Sequence, residues 1–350
     1  MPQRSIYTFG PLELVGAAFS LPLLSLALAV IAAGGILLFT ARQRYEGRAA
    51  GPLSPSVAQS VTARYLPEQR ALRVIAIAVA LVFAVENIVR GYVLAMADQV
   101  AWWRYAAPVF SAFVGMIVIL GMVAIRGTTQ PEVPVVPASR RTWTSFSPRP
   151  GLIGACLALL ALAATTIAAG LASSADDHGR YIWLEIPVPN EAAIDPIRPW
   201  FYGWAYGVPV LICLAALAFA TWAVLQRNAE RPYIRPETVA AERGARREVA
   251  IGAVRVATAG ILLALAGAWR FIASAGSGST LVIEGQNGGA PYDMTWRYAE
   301  LAIAGGWFAP ILEVTAFVLL LLVAIRPRRA LAALSSPDQI DVQADAEAAL

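Results

Sequence analysis

The sequence predicts an all-α integral membrane protein, a seven-transmembrane-helix bundle with its N-terminus outside and its C-terminus inside. Three observations carry this reading. Hydrophobic residues make up 58% of the 350 residues and charged residues only 14%, whereas a soluble domain carries roughly 25% charge. The apolar residues gather into seven runs, near 11–40, 73–94, 105–125, 151–172, 204–225, 251–272 and 298–325, each long enough to cross a bilayer. The basic residues, all 27 of them arginine, alternate between successive connections.

That alternation sets the orientation. The segments 41–72, 126–150, 226–250 and 326–350 hold 18 arginines. The segments 1–10, 92–104, 173–203 and 273–297 hold 5 arginines against 8 acids. Basic residues in short connections stay on the inner side of a membrane, so the first set is inner and the second outer. The net charge of +4 follows from this rule and does not point to nucleic acid. The expected location is a plasma membrane, and the lack of lysine fits a GC-rich bacterial genome.

The first run, Pro11 to Thr40, is longer than the apolar core of a signal peptide. Arg42, Arg44 and Arg48 follow it and only Arg4 precedes it, as in a retained helix. Its length asks for a tilt, or for a kink at Pro22 or Gly34-Gly35. The second run ends in Glu86, Asn87 and Arg90. The third opens with Trp103-Arg104-Tyr105-Ala106 and closes with Val123-Ala124-Ile125-Arg126. The fourth is a connector, and the fifth exits into Gln226-Arg227. The sixth is preceded by a solvated helical lead-in over 236–250. The seventh opens with Trp296-Arg297-Tyr298-Ala299 and closes with Val323-Ala324-Ile325-Arg326.

These markers recur in order, including Arg90 against Arg270 and Pro67-Glu68 against Pro236-Glu237. Spans one to three therefore match spans five to seven, a 3+1+3 parallel repeat. This layout resembles that of the sugar-carrying SWEET transporters, whose repeats are related by an axis along the membrane normal. The proline-glutamine pair of their bacterial and lysosomal relatives is not found inside any span. Residues 1–329 form one membrane domain, and 330–350 a flexible acidic inner tail. The outer connections are the more structured ones. Residues 274–295 suggest a small hairpin around Leu281-Val282-Ile283, and together with 173–203 they would cap the outer mouth.

The composition excludes several chemistries. Without lysine there is no amine for a retinal Schiff base. The single histidine, His178, cannot supply paired haem ligands, and beside Asp176 and Asp177 it reads as a solvated loop residue. No H-E-x-x-H, G-x-S-x-G, Walker or Rossmann pattern is present. No enzyme, cofactor or metal is expected. Cys156 and Cys213 fall inside spans and read as small buried apolar residues.

Polar residues within spans carry the functional signal, because charge in hydrocarbon is costly. Glu313 lies near the middle of the seventh span, three residues after Pro310. It must be protonated, paired with arginine or facing water, and it is the candidate coupling or ion site. Glu86, Asn87, Arg90, Arg104, Arg270, Arg297 and Glu300 cluster toward the outer side. They form a candidate vestibule for an anionic or zwitterionic ligand, since arginine binds carboxylate and phosphate through two donors. Tryptophans also favour the outer side, and Trp102, Trp103, Trp183 and Trp200 are candidate partner-docking residues. The leading expectation is a permease or transporter, or a transporter's membrane subunit, for a small polar or anionic solute. A non-catalytic accessory subunit of a larger envelope complex is the alternative, with other membrane subunits or an outer-side protein as partners. A seven-helix signal receptor is the third. A polar path to Glu313 would favour transport, and a dry, close-packed bundle the accessory role.

Overall fold

The computed structural model describes residues 22–46, 55–87, 101–127, 141–188, 195–278, 280–281 and 291–325. The helices among them are α1 (Pro22–Glu46), α2 (Pro55–Ala84), α3 (Ala107–Arg126), α4 (Arg149–Ala172), α5 (Trp204–Glu230), α6 (Val239–Gly276) and α7 (Ala299–Ala324). Each falls on one of the apolar runs. Five of them, α3 to α7, are long and apolar enough to cross a membrane, and α1 contains a shorter apolar stretch, Leu24–Thr40. The chain is a multi-pass membrane protein. The start of the first run, Arg90 and the tail lie outside the described residues.

Two element boundaries differ from the sequence reading. α2 begins at Pro55, well before residue 73, and carries Pro67 in its interior. The 3₁₀ turn Pro236–Thr238 runs directly into α6, so lead-in and span form one continuous unit. Pro67-Glu68 and Pro236-Glu237 therefore occupy different structural positions, which removes that pair from the repeat's markers. At its C-terminal end α2 passes into a π turn over 85–87. There the Asn87 amide donates to the Phe83 carbonyl at 2.9 Å, a local side-chain bond that competes with the helix ladder.

α6 is the axis of the bundle. It packs against α2, α3, α4, α5 and α7, and most of its apolar length is buried. Its sequence explains this position. From Val249 to Ala268 it is alanine, glycine, valine and leucine on nearly all sides, and a helix apolar all round belongs in an interior. Its small residues let neighbouring backbones approach, the usual basis of helix association in lipid. Gly305 of α7 makes the same provision from the other side, since a Cβ there would collide with the Trp269 ring. Gly170 of α4 likewise leaves room for the Trp204 indole at the start of α5.

Most of the helix contacts come in matched sets, whereas the contact of α5 with α6 has no comparable counterpart between α1 and α2 among the described residues. α2 packs on α3, and α6 on α7. α3 packs on α5, and α7 on α1. α3 touches α6, and α7 touches α2. α4 stands on the rim, against α5 and α6.

At the end where α4 finishes and α5 begins, the connections build a cap. Strand β1 (Ser174–Ala175) pairs antiparallel with β2 (Tyr181–Trp183). Bridges join Trp183 to Trp200 and Ile186 to Ile197. Ile182, Leu184, Ile186, Phe201 and Tyr202 fill the space beneath. β3 (Thr280–Leu281) pairs with β4 (Tyr292–Asp293), the hairpin expected in that connection. The rings of Phe201 and Trp296 meet edge to face, with centroids 5.6 Å apart, and so join the two connections.

Candidate functional site

Two buried charge clusters organise the bundle, one toward each end of α6. The first centres on Glu313. It projects from α7 four residues after Ala309, on the face that α7 turns toward α6 and α1. Arg270 lies on the last turns of α6. Its Nε donates to Glu313 Oε1 at 2.5 Å and its Nη2 to Oε2 at 2.8 Å. Ser25 of α1 donates to the same Oε2 at 2.7 Å. The carboxylate is fully buried and the guanidinium 24% exposed. Three helices thus meet on one carboxylate through charge-assisted bonds, the strong class of protein hydrogen bond. Of the states open to Glu313, the structure contains the arginine pair.

The second cluster lies where the lead-ins of α2 and α6 meet the α5–α6 connection. Glu242 collects five donors: Arg64 Nη1 at 3.1 Å, Tyr65 Oη at 3.2 Å, Arg246 Nη2 at 3.3 Å, the Ile234 amide at 3.1 Å and Thr238 Oγ1 at 2.8 Å. Arg246 donates from Nε to Tyr65 Oη at 3.0 Å, and to the carbonyls of Arg231 at 2.7 Å and Pro232 at 3.0 Å. Arg231 in turn donates to Glu68 at 2.8 Å and to the Val123 carbonyl at 3.3 Å. The guanidiniums of Arg141 and Arg246 lie 4.0 and 4.2 Å from the centre of the Tyr233 ring, within cation–π range. Burial, partly opposed by Arg246, raises the Tyr65 phenol above its usual range. It therefore stays protonated, donating to Glu242 while accepting from Arg246.

The sequence places Glu242 and Arg246 on a solvated helix, yet both are fully buried. The reason is that α2 extends down to cover α6. Arg64 and Glu68 on α2, and Glu242 and Arg246 on α6, are each four apart, so each pair shares a helical face. The two faces turn toward each other. That spacing was the available signal, and it could be used only once both lead-ins were known to be helical.

The residues of the expected outer vestibule are spread over several environments. Arg270 is committed to Glu313. Glu86 and Asn87 are half-buried at the end of α2. Arg104 is half-buried, its guanidinium 5.6 Å from the Tyr105 ring. Tyr105 itself packs among Tyr202, Tyr206 and Phe271 at 5.3 to 5.5 Å between centroids. Arg297 and Glu300 are exposed at the start of α7. Arg90 lies outside the described residues.

Trp102 and Trp103 are both exposed and meet edge to face at 5.4 Å. Trp183 and Trp200 pair in the same way at 5.6 Å, with Trp200 exposed and Trp183 half-buried. His178 is exposed, its Nδ1 3.9 Å from Asp176, and no metal-binding group of three or more His, Cys, Asp or Glu occurs among the described residues. Cys156 is exposed on the outside of α4 and Cys213 is half-buried. The expectation of a buried Cys156 is thus corrected, because α4 is a rim helix with one face on the bundle.

No known protein family, curated protein or solved structure matches this chain.

Proposed function

We propose that the chain is a non-catalytic accessory or assembly subunit of a larger membrane complex. It crosses the membrane seven times, with its N-terminus outside. The observation that carries this reading is the saturated state of Glu313. Its carboxylate is buried, takes three donors from two other helices, and sits beside a tightly packed apolar α6. A coupling carboxylate has to exchange its proton or ion with water. This one is tied into the packing of α1, α6 and α7. The cap is suited to docking. It is braced by antiparallel bridges and displays exposed Trp200, the connection before α3 displays exposed Trp102 and Trp103, and exposed aromatics are the residue types enriched at interfaces.

The test is purification from native membranes in mild detergent without crosslinking, followed by identification of the chains that accompany it. A defined stoichiometric partner, lost when Trp102 and Trp200 are replaced by serine, is the expected result. A chain that purifies alone and catalyses solute flux in proteoliposomes would overturn it.

Transport remains the second reading because of the matched packing. Exchanging α1–α3 with α5–α7 carries the α3–α5 contact onto α7–α1, and α2–α3 onto α6–α7. The entry turns also correspond. Trp103 accepts from the Ala106 amide at 3.0 Å, and Trp296 from the Ala299 amide at 2.9 Å. Both features support a 3+1+3 parallel repeat of the kind some transporters use. Under that reading Arg270–Glu313 is a gate that opens, and Glu313→Gln removes flux while leaving the fold intact.

A further inference from the structure

α4 and α7 both pack on α6, and between them lies an open crevice of about 510 Å³. On the α4 side its wall is Thr165, Ala168, Ala169 and Ala172. These span two helical turns, about 10 Å along the axis, and end at the cap. On the α7 side it is Leu301 and Gly305, and the floor is Trp269 and Ile272 of α6 with Phe201 of the cap. The walls are apolar because small residues on α4 and a glycine on α7 leave the space unfilled. Trp269 spends its indole N–H on Thr165 at 3.1 Å, so the floor offers no free donor there.

The mouth is different. Arg297, Trp296 and Tyr298 ring it at the cap end of α7. Among the described residues, Arg297 is the only charged one lining the crevice. It is exposed, its guanidinium rests 4.7 Å from the Tyr298 ring centre, and it has no ion-pair partner among the described residues. Leu171 and Leu301, flanking the opening, are strongly exposed, as expected of residues that face lipid tails. Tryptophan, tyrosine and arginine at one level mark the headgroup region of a bilayer.

We propose that this crevice binds one anionic phospholipid of the leaflet on the cap side, with its phosphate on Arg297 and one acyl chain between α4 and α7. The charge sets the class. Among the described residues, one cation without an ion-pair partner sits at the end of an apolar slot that no other charge lines, which matches a molecule with an anionic head and a hydrocarbon tail. Inorganic phosphate offers the same charge but leaves the walls unfilled, and a zwitterionic lipid fills the walls but brings its own cation to Arg297. The proposal rests on insertion in a membrane, which both functional readings share, and not on the choice between them.

The test uses the full chain, purified, stripped of lipid in detergent and titrated under native mass spectrometry. The probes are phosphatidylglycerol, phosphatidylcholine and inorganic phosphate. The expected result is one tightly held phosphatidylglycerol, preferred over phosphatidylcholine and not displaced by inorganic phosphate. Ala168→Trp fills the slot from an exposed position on α4 and should abolish retention. Ala164→Trp, one turn away and outside the crevice, should bind like wild type. Arg297→Gln should keep the lipid but reduce the anionic preference about fivefold, the factor that one basic residue near an anionic headgroup contributes. Unchanged retention in a monodisperse Ala168→Trp protein overturns the proposal. So does an unchanged preference in Arg297→Gln, which decides the matter alone if the tryptophan variant does not fold. Displacement by inorganic phosphate, or a co-purifying protein that shields a cysteine placed at 168 with no lipid present, counts against it equally.

Discussion

Arg270 and Glu313 form a two-point ion pair between the last turns of α6 and the middle of α7, with Glu313 fully buried and Arg270 24% exposed. The geometry sets what each truncation does. Glu313→Leu takes the paired carboxylate away from the Arg270 guanidinium, and Arg270→Leu leaves a buried carboxylate without its ion-pair partner. Breaking a fully buried pair costs roughly 3–5 kcal/mol, and partial exposure of the arginine brings the expected loss down to about 2–4 kcal/mol. The double variant Arg270→Met with Glu313→Leu removes both charges and should recover most of that loss. Thermal unfolding in detergent, arranged as a double-mutant cycle, measures the coupling. A sum of independent single effects would mean that the pair contributes nothing.

Ser25 is the third member of that site, and its role is separable. It is buried on α1 and gives Glu313 one charge-assisted hydrogen bond. Ser25→Ala should cost about 1.5–3 kcal/mol. Because α1 packs chiefly on α7, the change should appear first as faster hydrogen exchange in α1, with α6 unaffected. Equal loosening of α6 would show that the serine supports the whole cluster.

Tyr65 is the hinge of the opposite cluster. Its hydroxyl donates to Glu242 and accepts from Arg246. Tyr65→Phe keeps the ring under Arg64 and Arg231, whose guanidiniums lie 5.7 and 5.4 Å from its centre, and deletes only the hydroxyl. Glu242 retains four other donors and Arg246 three other acceptors. The expected loss is therefore small, about 1–2 kcal/mol. Glu242→Gln, which leaves Arg64 and Arg246 facing each other without a carboxylate, should cost more. If the order of the two variants is reversed in unfolding experiments, the carboxylate is not the organising group.

The apolar runs were readable because length and hydrophobicity act locally, so every described helix falls on one of them. Glu313 stood out by the same logic, since a carboxylate in the middle of such a run demands a partner. Which partner was not readable. The sequence shows only the depth of Arg270, which suits a vestibule, whereas the face it turns toward α7 depends on how the helices pack. The cluster around Glu242 is hidden in the sequence for a stronger reason. Arg64, Glu68, Glu242 and Arg246 look like ordinary solvated charges until α2 is known to continue down to Pro55 and cover them. Burial of charge is a tertiary property, and local composition argues against it.

Topology has a direct test. After Cys156 and Cys213 are replaced by alanine, single cysteines are placed at Ser174 in the cap and at Thr144, exposed before α4. An impermeant thiol reagent added to intact cells should label position 174 and leave 144 unlabelled until the membrane is opened. The reverse pattern would invert the bundle, and labelling of both in intact cells would remove α4 as a crossing.

The cap carries the clearest pH dependence. Asp176 closes a tight turn in which Gly179 takes a left-handed backbone, φ 74°. Its carboxylate accepts from the amides of His178 at 3.0 Å and Arg180 at 2.7 Å, and from Arg180 Nε at 2.8 Å. Desolvation opposes its ionisation, but the hydrogen bonds from Arg180 and His178 outweigh that and hold the carboxyl below its ordinary value. A depressed folded-state pKa stabilises the turn at every pH above the unfolded value, near 3.9 for aspartate, and that contribution is lost as pH falls through the folded value. Between pH 5 and 8 the turn should therefore be insensitive to pH, and His178, exposed and 3.9 Å from Asp176, should not govern it. Below about pH 4 hydrogen exchange across 174–183 should accelerate while α6 stays protected. Asp176→Asn should show the fast rate at all pH values, since an amide oxygen accepts more weakly and carries no charge for Arg180. A transition near the histidine range, abolished by His178→Ala, would assign the switch to His178 instead.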